Sequence, residues 1–199
     1  MTHLEFMGVP LKGSAKDFFS VLKHTARIYS VEKETESIVQ CTLNFTSRMG
    51  HVKIIGDPVY CVEVYFECSV LLEPTEEEWN EMVKDFNEYK EALTLKYGCP
   101  IFVETQLERK NEISYLDKSL SLYDKNYVPT KNRYISDNDG LSCRAKFHAV
   151  GGHISIFTTI GEMFEKRTAL YICYTDEYNE EYNKKRENTK PLDKKYNDL

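Results

Sequence analysis

Two stretches of the chain repeat each other residue by residue. Cys41-Thr42-Leu43-Asn44-Phe45 corresponds to Cys143-Arg144-Ala145-Lys146-Phe147, and Gly50-His51-Val52-Lys53-Ile54 to Gly152-His153-Ile154-Ser155-Ile156. The separation is 102 residues throughout, without a gap. In each copy apolar and polar residues alternate, glycine interrupts, and alternation resumes, which is the pattern of a β-hairpin with one buried face. A period this long does not suit a solenoid of short repeats and points to paired modules. A weaker echo supports the pairing: Leu22-Lys23 precedes Ile28 by the interval that separates Leu95-Lys96 from Ile101.

The elements around the hairpins follow from local pattern. A short strand at Leu4–Met7 leads into Gly8–Gly13, a turn by composition. Ser14-Ala15-Lys16-Asp17 has the form of a capping box, and the helix it opens sets Phe18, Val21 and Leu22 on one face before ending near His24. Strands are expected at 27–32, 39–45, 51–55 and 60–66. Thr75-Glu76-Glu77-Glu78 is a second capping box. The helix it starts carries Trp79, Met82, Val83, Phe86, Lys90, Leu93 and Tyr97 on one stripe, with Lys90 at the rim. Gly98 and Pro100 end it. Further strands are expected at 101–106, 141–149, 153–160 and 169–176. Residues 107–140 are polar and irregular, with a short helix at Tyr115–Tyr123 and a closing turn at Asp137-Asn138-Asp139-Gly140.

These elements define an α+β fold: two tandem helix-plus-four-strand modules forming an antiparallel sheet of about eight strands with helices on one face. Residues 1–176 form one domain of two pseudo-repeats, about 1–68 and 74–176, and 177–199 form a charged, partly helical, solvated tail. With Gly151-Gly152 as a two-residue turn, Phe147 faces Ile156, Ala145 faces Thr158 and Cys143 faces Ile160. The same register puts Phe45 opposite Ile54. A one-residue slip would carry charged side chains inward.

Composition narrows the chemistry. A net charge of −6 and a pI near 5.5 oppose nucleic acid as a partner, because phosphate binding needs clustered Lys and Arg. No apolar run approaches the ~20 residues needed to cross a bilayer. Met1–Phe6 has neither a basic nor an apolar leader region, so the expected compartment is cytoplasmic, or periplasmic and envelope-associated if a leader has been removed. The 6 cysteines include no C-x-x-C pair, which removes the zinc-ribbon and thioredoxin readings. Cys41 and Cys143 point inward by strand parity. Cys61 sits among Glu63 and Glu67, whose charge opposes a thiolate. There is no Gly-rich phosphate loop, G-x-S-x-G elbow or H-E-x-x-H pair. No catalytic residue, cofactor or metal is assigned.

What remains is surface. The parity that buries Phe147 and Ile156 turns Arg144, Lys146, His148 and His153 outward, a basic stripe in an acidic protein. A solvated outer face gives the same pattern. His148 and His153 lie within reach of one metal, but two ligands without a nearby acid or thiol make a poor site. Tyr65 and Phe157 add exposed aromatics on the same side by parity. These six residues are the candidate partner-binding set. The leading expectation is a non-catalytic binding or protein-interaction module using the open sheet face. The alternative is a hydrolase-type enzyme with its site between the sheet and residues 107–140.

Leu4-x-Phe6-x-Gly8-x-Pro10-Leu11-x-Gly13-Ser14, Trp79, Lys96-Tyr97-Gly98-x-Pro100, Gly152-x-Ile154 and Tyr174-x-Asp176 resemble a family of small uncharacterised proteins from Bacteroidetes. That resemblance implies no catalytic residues, and many family members carry a leader peptide. The layout of tandem modules is also similar to that of β-lactamase inhibitor proteins, an analogy of architecture alone.

Overall fold

The computed structural model describes residues 2–45, 48–70, 76–107, 141–160 and 167–189, with the side chains of 67–70, 76–79, 105–107, 141–142, 159–160, 167–168 and 188–189 excepted. The elements are β1 (Glu5–Phe6), β2 (Val9–Pro10), α1 (Ala15–Leu22), β3 (Ile28–Glu34), β4 (Ile38–Asn44), β5 (Met49–Gly56) and β6 (Val59–Val70). They continue with α2 (Glu76–Tyr97), β7 (Phe102–Leu107), β8 (Leu141–Ala149), β9 (Gly152–Ile160), β10 (Arg167–Asp176) and α3 (Glu177–Thr189). This is a mixed α+β fold with a large antiparallel sheet, in the strand order β3-β4-β5-β6-β10-β9-β8-β7. Two compact units divide the chain: Met1–Tyr65, His148–Ile154 and Ile172–Leu199 in one, Phe66–Phe147 and Ser155–Tyr171 in the other. Among the described residues, no helix is long and apolar enough to cross a membrane. The helix and turn at 115–123 and 137–140, the cap at Thr75 and the packing of Trp79 lie outside what is described.

In the first unit, β1 and β2 pair Phe6 with Val9 across a two-residue turn, so the stretch expected as plain turn contains a strand. Met7 and Gly8 both take positive φ (52° and 78°), the hand that matches the twist of a hairpin. The α1 capping box forms as its sequence requires: the Asp17 amide donates to Ser14 Oγ at 3.1 Å and the Ser14 amide to Asp17 Oδ2 at 3.2 Å. The helix buries Ala15, Phe18, Phe19 and Leu22 and contacts β4 and β5. Val21, expected on that face, points to solvent, and Phe19 takes its place because the apolar stripe follows 15, 18, 19 and 22.

The two hairpins differ in register. In β4–β5, Val39 faces Ile54, Cys41 faces Val52 and Leu43 faces Gly50. Phe45 therefore does not meet Ile54; it sits in the four-residue connection, where its amide donates to the Arg48 carbonyl at 2.9 Å. In β8–β9 the tight turn is Val150–Gly151, one residue earlier than Gly151–Gly152. The Cys143 amide consequently donates to Thr158 Oγ1 at 2.9 Å, rather than Cys143 lying against Ile160. Both displacements are even steps along a strand, so each keeps the same side chains inward. Cys143, Ala145, Phe147, Ile154 and Ile156 are all buried. The pattern fixed parity, and loop length fixed register.

The C-terminal segment expected as a solvated tail instead starts with a docked helix. Asp176, fully buried, caps α3 by accepting the Asn179 amide on Oδ1 at 3.0 Å. Its Oδ2 accepts the Leu4 amide at 3.0 Å and lies 3.1 Å from His3 Nδ1. The Asn179 side-chain amide donates to the Leu11 and Val59 carbonyls at 2.8 and 2.7 Å. Close beside this knot, a Cβ on Gly152 would fall 2.0 Å from the Thr175 carbonyl oxygen.

Two stability outcomes follow. Gly152→Ala drives a methyl into backbone and is expected to cost about 3 kcal/mol or more, read as a lowered urea midpoint. Asn179→Leu leaves two buried carbonyls unsatisfied and is expected to cost on the order of 2–4 kcal/mol. An unchanged midpoint in either variant would contradict the packing described.

Candidate functional site

The side chains that leave the core do so by strand alternation. On β6, Val62, Val64 and Phe66 are buried while Glu63 and Tyr65 are half-buried on the other face. Tyr65 lies opposite His51 of β5, the rings 5.5 Å apart and tilted by 30°. Lys53 lies opposite Glu63, with Nζ 3.9 Å from Oε2.

On β8, Arg144 and His148 are exposed and Lys146 is half-buried, on the side away from Cys143, Ala145 and Phe147. The neighbouring strand changes the charge reading, because Glu104 of β7 is the register partner of Arg144 and Phe102 that of Lys146. The stripe is less basic than its own strand suggests. His153 is half-buried with Nδ1 3.1 Å from Glu177 Oε1, at the start of α3. Phe157 stacks on Tyr171 of β10 with centroids 5.2 Å apart and planes within 2°. Arg144, Lys146, His153, Phe157 and Tyr65 thus each have a neighbour that their own strand does not reveal. Tyr171, His51 and Glu177 join the surface, and only strand parity hinted at the first two.

The described thiols separate into three environments. Burial pushes the Cys41 thiol up to about 12, with the Glu32 charge adding to the effect, and burial likewise raises Cys143. Cys99 is exposed. Cys61 and Cys173 form a pair, Sγ to Sγ 3.3 Å, joined from positions 112 residues apart. The hydrogen bond to Cys173 and then burial raise the Cys61 thiol, while Cys173, receiving that bond, is lowered against its own desolvation. Glu63 completes a group whose ligand atoms all lie within 4.8 Å of one another. The sequence showed Glu63 beside Cys61; nothing local showed Cys173.

A cleft of about 440 Å³ lies in the first unit, lined by Glu36, Ser37, Tyr60, Asn183, Arg186 and Glu187 among others. Its polar groups are committed to holding a turn: Asn183 Nδ2 donates to the Pro58 carbonyl at 2.8 Å and Arg186 Nη1 to the Asp57 carbonyl at 3.0 Å. Burial pushes the Tyr60 phenol up, which opposes its use as a base. The hydrolase site between the sheet and residues 107–140 falls outside the described residues.

Comparison with known proteins finds no match: no protein-family model, curated protein or solved structure resembles the chain significantly.

The thiol environments give a pH prediction. The folded-state thiol of Cys41 lies above its ordinary value of 9.0, so its contribution to stability is whole below about 9 and is lost as pH rises toward about 12. Alkylation mapped by mass spectrometry at neutral pH is expected to label Cys99 first and Cys41 last, with Cys41 labelling rising on alkaline unfolding. Equal rates at neutral pH would refute the assignment.

Proposed function

We propose that the chain is a non-catalytic binding module, built from two copied helix-plus-four-strand modules, that takes a protein partner onto the sheet face opposite the core. The observation that carries the reading is the Phe157–Tyr171 stack, which is half-buried on that face rather than packed into the core. Paired flat rings offer large apolar area with few torsions to freeze on docking, and such residues dominate binding energy at protein interfaces. Arg144 and Lys146, in the same unit, supply polar side chains that leave the core by the same strand alternation. The Cys41 and Cys143 environments agree with a non-catalytic reading of those two thiols, since buried protonated thiols are poor nucleophiles.

The test is a pull-down from native lysate with the full chain as bait, followed by affinity measurement on the recovered partner. Phe157→Ala is expected to weaken binding by roughly 30-fold, the scale of an interface anchor. Arg144→Glu with Lys146→Glu is expected to abolish recovery of an acidic partner. Affinity unchanged in both variants would retire the proposal.

A further inference from the structure

Cys61, Cys173 and Glu63 form a grouping that the binding reading leaves unused. Cys61 and Glu63 are two residues apart on β6, so they share a face, and β10, the neighbour of β6 in the sheet, brings Cys173 to Cys61. The sulfurs lie 3.3 Å apart, and each potential ligand atom lies within 4.8 Å of the others. The geometry points to a binding site for a thiophilic divalent cation of the zinc class, held by the Cys61 and Cys173 sulfurs and a Glu63 oxygen.

Three observations carry this. The first is distance. Two sulfurs at about 2.3 Å from a tetrahedral zinc stand about 3.8 Å apart, so the pair needs to open by only about half an ångström. The second is rigidity, because ligands on paired strands are placed with little freedom to lose. The third is charge. The Glu63 carboxylate, whose oxygen lies within 4.8 Å of both sulfurs, attracts a dication to them. Competing groups are weak. Lys53 holds Glu63 only at 3.9 Å, and Thr175 Oγ1 lies 3.7 Å from Cys173 Sγ. Binding replaces two S–H bonds with two metal–sulfur bonds, releases two protons to solvent and involves no oxidation or reduction. Three protein ligands leave a fourth position for water.

The experiment uses the full chain, reduced and stripped with a chelator, and titrates it with Co²⁺ and then Zn²⁺. One Co²⁺ per chain is expected to bind with thiolate-to-metal charge transfer in the near ultraviolet, and Zn²⁺ to displace it. Cys61→Ser and Cys173→Ser are each expected to weaken affinity beyond the roughly 10- to 100-fold typical of losing an outer partner, and Glu63→Gln by about tenfold. Cys99→Ser is expected to change nothing. Because the serine variants could misfold, the parent chain is also alkylated with and without Zn²⁺, and selective protection of Cys61 and Cys173 is expected. Absence of the charge-transfer band, a band that survives both serine variants, or equal alkylation would overturn the site. So would a reduced chain that takes up no metal and instead forms a Cys61–Cys173 disulfide on exposure to air.

Discussion

An antiparallel strand sends alternate side chains to opposite faces, and the surface described above depends on which of these faces is filled. Val62, Val64 and Phe66 on β6 are 2% exposed or less, and so are Cys143, Ala145 and Phe147 on β8, while the residues between them remain partly or wholly accessible. Removing the inward set from water drives the sheet together. The outward set is then left at or near the surface. Tyr65 and the Cys61–Glu63 pair lie on one side of β6 for the same geometric reason that Val62 and Val64 lie on the other.

A second constraint is polar. Asp176 and Asn179 are buried with little or no exposure, and each is satisfied by named partners: a capped helix amide, the Leu4 amide, and the carbonyls of Leu11 and Val59. A buried amide or carboxylate without partners would destabilise the fold, so these bonds specify where α3 begins and where the N-terminal segment runs. Gly152 belongs to the same arrangement, since its missing side chain lets β9 approach the Thr175 carbonyl. Through α3 this knot also brings Glu177 to His153.

Charge on the outward face is more balanced than a strand-by-strand reading gives. Glu104 stands beside Arg144, Glu63 beside Lys53, and Glu177 beside His153. Exposed pairs of this kind contribute little to stability. Cys41 and Cys143 are buried as packing, whereas buried Cys61 meets half-buried Cys173.

Local sequence determined the main strands, helices α1 and α2, the α1 capping box and, Val21 apart, which side chains point inward, because these rest on periods of two and 3.6 residues and on contacts within a single turn. It placed Met82, Phe86 and Leu93 in the core and Lys90 at its rim correctly. Registers escaped it: the copied hairpins use a four-residue connection in one case and a tight turn in the other, and an even shift leaves the hydrophobic pattern unchanged. Only the tertiary structure decided that Cys173 meets Cys61, that Glu104 meets Arg144 and that Asp176 reaches His3. Strand order and long-range hydrogen bonding set those contacts, and neither leaves a periodic trace along the chain.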